Sequence, residues 1–209
     1  KVLVIAGSEN YPGAAYLSCA GAYRVGAGLV TLATQSSVKM IVSRKLPEVT
    51  FISHSKVFEK LTKYSVILLG PGLGQKESTK KFVENLLRET LPNLVIDGDG
   101  LNIISKIDSW WKRMQVEIIL TPHPGEMARL TGLSIEQIQS NRKNIAKKYA
   151  ADIWGQVVIL KGANTIIASP TSEIKISPFA NPALATAGTG DVLSGIIAGL
   201  LAQGLKPLD

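Results

Sequence analysis

Short apolar runs alternate with longer segments of helical periodicity along most of this chain. The short runs are rich in valine, isoleucine and leucine, and they predict strands at residues 2–6, 29–33, 49–53, 66–70, 94–97, 118–121 and 157–161. Apolar positions spaced three and four residues apart predict helices at residues 14–25, 78–91, 134–150 and 192–205. This alternation is typical of an α/β fold with a mainly parallel sheet and helices on both faces.

The pattern changes after residue 161. Residues 165–168 and 174–176 are short apolar runs on either side of the turn residues Pro170 to Ser172, and they predict an antiparallel hairpin. With 209 residues, 45% hydrophobic and 19% charged, we expect a single domain over residues 1–209. The chain enters a strand directly after Lys1 and stops without a closing element, so we expect a longer polypeptide at both ends.

Glycine-rich or polar turns directly follow five of the predicted strands. They lie at residues 7–8, 70–74, 97–100, 121–126 and 161–165. Parallel strands bring their carboxyl ends to one edge of a sheet, and ligands of open α/β sheets bind beyond that edge. We therefore expect the five turns to line one crevice.

The segment at residues 181–195, NPALATAGTGDVLSG, has the strongest functional signal. Gly188, Thr189 and Gly190 form a flexible turn before an apolar helix, and such a turn directs backbone amides and the positive end of the helix dipole at an anion. Asp191 follows at once, and its carboxylate is suited to removing a proton from a hydroxyl that attacks a phosphoryl group. The alternative is that Asp191 only caps the helix.

Other residues of the turns carry weaker signals. His123 lies between two prolines that stiffen the loop, so its ring is a candidate hydrogen-bond partner for a substrate. Lys161 ends a strand before a glycine and is suited to a nucleotide phosphate, or it is a surface lysine. Asp97 and Asp99 would hold a hydrated magnesium ion, orient substrate hydroxyls or stabilise their turn.

Two glycine-containing segments offer space to a ligand. Residues 70–74, GPGLG, let the backbone approach a bulky ligand such as a dinucleotide, or they form a tight turn between a strand and a helix. Ala14 and Ala15, after Gly13, place small side chains at the start of a helix, which leaves room for a ligand or for close helix packing.

The net charge of +7 does not indicate a nucleic-acid-binding protein, because the basic residues are scattered and only 6% of residues are aromatic. The densest basic run is Arg142, Lys143, Lys147 and Lys148, and its spacing predicts the solvated side of a helix. Cys19 is the only cysteine, so no intrachain disulfide forms, and its apolar neighbours predict a buried residue. We expect a reducing, cytoplasmic compartment and no membrane segment, since residues 192–205 are too few to cross a bilayer.

Together the motifs GPGLG, DGDGLN, LTPHPGEMARLTG, VVILKGANT and NPALATAGTGDVLSG occur in an order that resembles the ADP-dependent NAD(P)H-hydrate dehydratases of the ribokinase-like superfamily. This resemblance implies a ribokinase-like fold and the repair of hydrated nicotinamide nucleotides. The implied reaction dehydrates the S-form of NADH hydrate or NADPH hydrate. ADP, or ATP in some relatives, is the phosphoryl donor, Mg²⁺ accompanies the nucleotide, and the protein is a homo-oligomer, frequently a tetramer.

The resemblance also implies roles for individual residues. Asp191 would deprotonate the ring hydroxyl of the hydrate, and the amides of residues 187–190 would hold the developing charge. The nucleotide would contact Lys161, Gly162, Ala163, Asn164, Thr165, Gly188, Thr189 and Gly190. The hydrate would contact Ala14 or Ala15, Gly74, His123 and Asp191.

This chain departs from the family pattern in two places. It has Gly98 and Gly100 where alanines are more frequent, and it has ANPA at residues 180–183 where GNPG is common. The second change removes two glycines, and we expect it to alter the conformation of the loop near the phosphoryl donor. The nearest rival function is a hydroxyethylthiazole or phosphomethylpyrimidine type kinase of the same superfamily, and a nucleotide sensor without turnover is another.

Overall fold

A computed structural model describes residues 1–114 and 116–208. Its centre is a nine-stranded sheet with the order β3-β2-β1-β4-β5-β6-β7-β8-β9. The strands are β1 (Val2–Ile5), β2 (Val30–Ala33), β3 (Thr50–Ile52), β4 (Val66–Leu69), β5 (Asn93–Ile96), β6 (Ile118–Leu120), β7 (Val157–Leu160), β8 (Ile166–Ala168) and β9 (Ile174–Ile176). Strands β1 to β7 are parallel, while β8 and β9 pair antiparallel.

The helices lie between these strands. They are α1 (Pro12–Arg24), α2 (Ser36–Lys45), α3 (Glu77–Leu86), α4 (Asp99–Ile104), α5 (Pro124–Thr131), α6 (Ile135–Ser140), α7 (Arg142–Lys147) and α8 (Thr189–Leu201). Short 3₁₀ turns occur at His54–Lys56, Phe58–Lys63, Trp110–Arg113 and Pro182–Leu184, and a π-helical segment spans Lys148–Trp154. No helix in the described part of the chain is long and apolar enough to cross a membrane.

The predicted parallel strands and the hairpin are confirmed, and their ends differ from the prediction by one residue at most. The single helix predicted at residues 134–150 is wrong, because the chain leaves helical geometry at Asn141 and continues as α7 and then as the π-helical segment. The capping box predicted for its start is present, since Ser134 and Gln137 exchange side-chain and backbone hydrogen bonds.

Three helices were not predicted from the sequence. In α2 only Val38 and Val42 are buried, so its apolar stripe is too narrow to stand out. Helix α4 has six residues and α5 has eight, so each is too short to show a clear helical period in the sequence.

The sheet separates two apolar layers because successive residues of a strand face opposite sides. In β1, Leu3 and Ile5 contribute to the layer under α3 to α7, whereas Val2 and Val4 contribute to the layer under α1, α2 and α8. Cys19 is fully buried in the second layer, as predicted. Trp110 and Trp154 pack in the first layer with ring centroids 5.6 Å apart.

Close packing of α1 against α8 fixes the position of the glycine-rich turn. A β-carbon added at Gly195 would lie 2.2 Å from the carbonyl oxygen of Ser18, and one added at Gly21 would lie 2.6 Å from that of Val192. The two backbones therefore approach more closely than any side chain would allow. Helix α8 also packs on β4 and β5, so its first turn lies beside the carboxyl ends of these strands.

Candidate active site

The predicted convergence of the turns after the parallel strands is confirmed. Gly7 donates its backbone N–H to the carbonyl of Pro71 over 2.9 Å, and the Ser8 hydroxyl donates to the carbonyl of Gly72 over 2.8 Å. These bonds join the turns after β1 and β4. Strand β1 lies between β2 and β4, so the strand order reverses here, which is where open α/β sheets bind ligands.

Asp191 occupies the third position of α8. The N-cap is Gly188, with a φ of 92° in the left-handed region that glycine adopts without strain, so the alternative that Asp191 is the cap is wrong. The first turn of a helix leaves backbone amides without partners inside the helix. The structure thus places a carboxylate on the first turn of a helix, as the sequence predicts, although the Thr189 N–H donates to the carbonyl of Thr186 over 3.4 Å.

A second group of charged side chains adjoins the start of α8. The Lys161 ammonium lies 2.6 Å from Oδ1 of Asp97 and 3.8 Å from Oε2 of Glu126. Asp97 is only 2% exposed and Glu126 only 5%. A β-carbon added at Gly190 would lie 3.3 Å from Nζ of Lys161, so the ammonium touches the first turn of α8.

The pKa values of two carboxyls are raised. Burial, followed by the charge of Asp97, raises the pKa of Asp191 to about 6, while Lys161 acts in the opposite direction. Burial raises the pKa of Glu126 to about 7 against the opposing effect of Lys161. Carboxyls that titrate near neutral pH beside a crevice are typical of sites for proton transfer.

His123 is the N-cap of α5. Its Nδ1 accepts hydrogen bonds from the backbone N–H groups of Gly125 and Glu126 over 3.0 and 3.3 Å, and Oε2 of Glu126 accepts from the His123 N–H over 2.8 Å. The predicted fixed orientation of the ring is therefore confirmed, and a helix cap provides it. Since Nδ1 accepts, the neutral ring carries its proton on Nε2, and burial and the charge of Lys161 lower the pKa of His123.

Asp99 stabilises the turn at residues 70–74. Its Oδ2 accepts the backbone N–H of Gly74 over 2.8 Å, and its Oδ1 accepts from the side-chain amide of Gln75 over 3.0 Å. Of the three hypotheses for Asp99, the structure favours the stabilised turn. Asp97 instead pairs with Lys161, and residues 1–114 and 116–208 contain no group of three or more acidic, histidine or cysteine side chains that could hold a metal ion.

The two alanines of α1 differ in position. Ala15 is fully buried, and a β-carbon at Gly7 would lie 2.8 Å from its methyl group, so Ala15 has a packing role. Ala14 is 9% exposed and lies against the turn after β4, since a β-carbon at Gly72 would lie 2.7 Å from its methyl group. A ligand contact stays a prediction for Ala14 and for Gly74.

The turn after β7 has an unusual backbone. Gly162 and Asn164 have positive φ angles of 138° and 52°, and residues 162–164 are exposed. The Thr165 hydroxyl donates to the carbonyl of Gly162 over 3.0 Å. The backbone N–H of Lys161 donates to the carbonyl of Pro122 over 2.8 Å, which joins this turn to the one after β6.

The contacts of Arg142 with the turn after β7 were not predicted from the sequence. We predicted a solvated helix face for the whole basic run, and Lys143, Lys147 and Lys148 are indeed exposed. The prediction is wrong for Arg142. Its guanidinium is partly buried and donates to three backbone carbonyls at the end of β7. Nothing in the spacing of the run separates this arginine from the lysines.

The family model described as NAD(P)H-hydrate dehydratase matches residues 2–209. The chain belongs to the NAD(P)H-hydrate dehydratase family. Among curated relatives, the bifunctional NAD(P)H-hydrate repair enzyme of Moorella thermoacetica is 40% identical over 99% of this chain and 41% of its own length. The ADP-dependent (S)-NAD(P)H-hydrate dehydratase of Bacillus subtilis is 36% identical over 95% of this chain and 71% of its own length.

Solved structures agree with this family assignment. A crystal structure of the Bacillus subtilis ADP/ATP-dependent NAD(P)H-hydrate dehydratase, co-crystallised with ATP and Mg²⁺ and soaked with CoA, superposes with a TM-score of 0.82. Its identity is 35%, covering 99% of this chain and 76% of that one. The predicted ribokinase-like fold is confirmed. The chain spans about two fifths of the length of the bifunctional relatives it matches.

Proposed function

We propose that this protein catalyses the ADP-dependent dehydration of the S-form of NADH hydrate or NADPH hydrate, releasing AMP and phosphate. One observation carries the proposal: the Asp191 carboxyl, with its pKa raised to about 6, lies on the first turn of α8 beside the Lys161 ammonium. A base and an anion-binding helix terminus in one place fit phosphoryl transfer to a hydroxyl. Membership of the NAD(P)H-hydrate dehydratase family favours this reaction over the kinase alternative.

In the first step Asp191 takes the proton of the ring hydroxyl of the hydrate. The hydroxyl oxygen bonds to the terminal phosphorus of ADP, and the bond from that phosphorus to the oxygen of AMP breaks. In the second step the carbon–oxygen bond to phosphate breaks with assistance from the ring nitrogen lone pair, and loss of a proton from the neighbouring carbon restores the dihydronicotinamide. The amides of residues 187–190 stabilise the negative charge that develops on the phosphoryl group.

The geometry supports a division of the crevice between the two ligands. Residues 161–165 and 188–190 would hold the nucleotide, since the turn after β7 exposes its backbone and Lys161 touches α8. The hydrate would lie towards Gly74 and Ala14, since the turn at residues 70–74 contacts the start of α1 beside the reversal of the strand order, and towards His123 after β6. Both assignments follow the family motifs.

Mg²⁺ would enter with the nucleotide phosphates. Asp97 is engaged by Lys161, and the described residues contain no cluster of three or more candidate ligands, so we expect the nucleotide to bring the metal. Mg²⁺ bound to nucleotides keeps several waters and needs one or two protein carboxylates at most. When present it would supply charge neutralisation for the phosphates. We further propose a homo-oligomeric, cytoplasmic protein, which is what the sequence resemblance implies.

The test is a turnover assay. The protein is incubated with NADH hydrate, ADP and Mg²⁺, and the absorbance of the reduced nicotinamide is followed while AMP is measured in parallel. We expect one AMP for each NADH restored. Phosphorylation of hydroxyethylthiazole or phosphomethylpyrimidine with ATP, without recovery of NADH, would favour the kinase alternative instead, and nucleotide binding without either reaction would favour a sensor.

A further inference from the structure

Arg142, the first residue of α7, holds the turn that follows β7. Its Nη2 donates to the carbonyl of Leu160 over 3.1 Å and to that of Lys161 over 3.2 Å, and its Nη1 donates to the carbonyl of Ala163. Leu160 is the last residue of β7. One planar guanidinium thus binds three carbonyls within four consecutive residues.

The local backbone shows why this turn needs such support. Gly162 and Asn164 both have positive φ angles, 138° and 52°, and the second is unusual for a residue with a side chain. A β-carbon at Gly162 would lie 2.9 Å from Nη2 of Arg142, so the guanidinium occupies the space that a side chain would fill. The conformation of residues 161–164 is therefore coupled to the position of Arg142.

The charge of Arg142 also lacks a carboxylate partner. Among the described residues no acidic side chain forms an ion pair with it, and its Nε is buried without a hydrogen-bond partner. Partial burial of an unpaired cation has a free-energy cost that neighbouring carbonyls offset only in part. An anion bound on the exposed side of the turn would compensate the positive charge of Arg142.

Arg142 acts on Lys161 through the main chain. The backbone carbonyl of Lys161 accepts a hydrogen bond from Arg142, and the backbone N–H of Lys161 donates to the carbonyl of Pro122. The Lys161 ammonium donates to Oδ1 of Asp97 over 2.6 Å. Displacing the turn would move the α-carbon of Lys161 and withdraw the Lys161 ammonium from the start of α8.

We propose that Arg142 is a positioning residue for the phosphate-bearing ligand: it fixes the turn at residues 161–165 so that the exposed amides and the Lys161 ammonium face the same anion. The inference rests on the proposed function only for the identity of the ligand, ADP. The residue itself does not touch the reacting atoms.

The test compares Arg142→Ala and Arg142→Lys with Lys143→Ala, a matched control from the same basic run whose side chain is exposed. Binding of ADP with Mg²⁺ is measured by calorimetry. We expect the dissociation constant to rise at least about tenfold in Arg142→Ala, because charge-assisted hydrogen bonds to three carbonyls are lost. Arg142→Lys should give a smaller rise, and Lys143→Ala should match the parent.

A second readout separates positioning from general stability. Lys161 lowers the pKa of Asp191, so loss of its position in Arg142→Ala should move the acid limb of kcat/KM to higher pH. Addition of methylguanidinium should restore part of the ADP affinity. If Arg142→Ala does not fold, Arg142→Lys provides the comparison with the parent, since lysine keeps the charge but not the planar fork of donors.

An affinity for ADP in folded Arg142→Ala within about twofold of the parent would overturn the inference. A parent that binds ADP in an Arg142-dependent manner but does not restore NADH would leave the inference standing and refute the proposed function. A parent that does not bind ADP would overturn both.

Discussion

Replacing Asp191 with asparagine should inactivate the protein and stabilise its fold at the same time. Asparagine has nearly the same shape as aspartate but cannot ionise or accept a proton as a base. The substitution therefore removes the charge and keeps the packing. Both effects follow from the partly buried position of Asp191 on the first turn of α8.

The stability effect follows from the pKa shift. The pKa of Asp191 rises from an ordinary value of 3.8 to about 6 in the folded state, so the folded protein holds this proton more tightly than the unfolded chain does. The resulting stability is present below the unfolded pKa and is lost as the pH rises through about 6. Without solvent screening, the shift corresponds to roughly 3 kcal/mol in the free energy of unfolding. Because Asp191 is partly exposed, solvent screening reduces this effect to about 1 kcal/mol.

Urea unfolding measures this difference. At about pH 8 the free energy of unfolding of Asp191→Asn should exceed that of the parent by about 1 kcal/mol. The gain should shrink as the pH falls below about 6 and vanish below the ordinary pKa of 3.8. Asp152→Asn is the matched control, because Asp152 is an exposed aspartate away from the site. In the turnover assay, Asp191→Asn should lose about 10²- to 10⁴-fold in kcat.

The activity of the parent should also depend on pH in a defined direction. The base must be ionised, so kcat/KM should fall on the acid side with an apparent pKa near the value of about 6 for Asp191. Turnover within about tenfold of the parent in Asp191→Asn, or a variant that is less stable than the parent at alkaline pH, would refute this account of the residue.

Two further predictions concern the frame around the site. Gly195→Ala should destabilise the fold by about 1–3 kcal/mol in urea unfolding, because the added methyl group meets the Ser18 carbonyl. Its control, Gly13→Ala, has open space around the added carbon and should be neutral or slightly stabilising, so equal effects would contradict the packing argument. Asp99→Ala should raise KM for the hydrate with little change in ADP affinity, since the Gly74 amide loses its acceptor, and an unchanged KM would show that this turn needs no such support.

Features that depend on the local sequence could be predicted. The strands follow from short apolar runs, and the convergence of the turns follows from parallel pairing, because every strand of a parallel sheet carries its carboxyl end to the same edge. The start of α5 was also open to prediction. Pro124, Glu126 and Gly132 are the ordinary signals of a helix start and end, and His123 accepts the bonds of a capping box that usually begins with serine or threonine.

Features that depend on distant contacts could not be predicted. Lys161 and Asp97 are 64 residues apart, and Asp99 meets Gly74 across 25 residues. Arg142 reaches carbonyls 18 to 21 residues further along the chain, and only the break of the helix at Asn141 gives it this direction. A sequence pattern reports which residues share a helix face, but it does not report which side chain is drawn towards a neighbouring turn.

Burial is the main reason why the pKa values of two carboxyls in the site are raised. Glu126 is almost fully buried, so its pKa rises to about 7, whereas Asp191 is only partly buried and reaches about 6. Both carboxyls therefore have pKa values nearer to neutral pH than an exposed carboxyl has, which suits proton transfer. An incoming nucleotide brings negative charge and raises both values further. A proton taken up by Glu126 would reduce the repulsion that the nucleotide meets. The Lys161 ammonium lowers the pKa of both carboxyls, so it opposes the rise and helps to keep Asp191 ionised as the base.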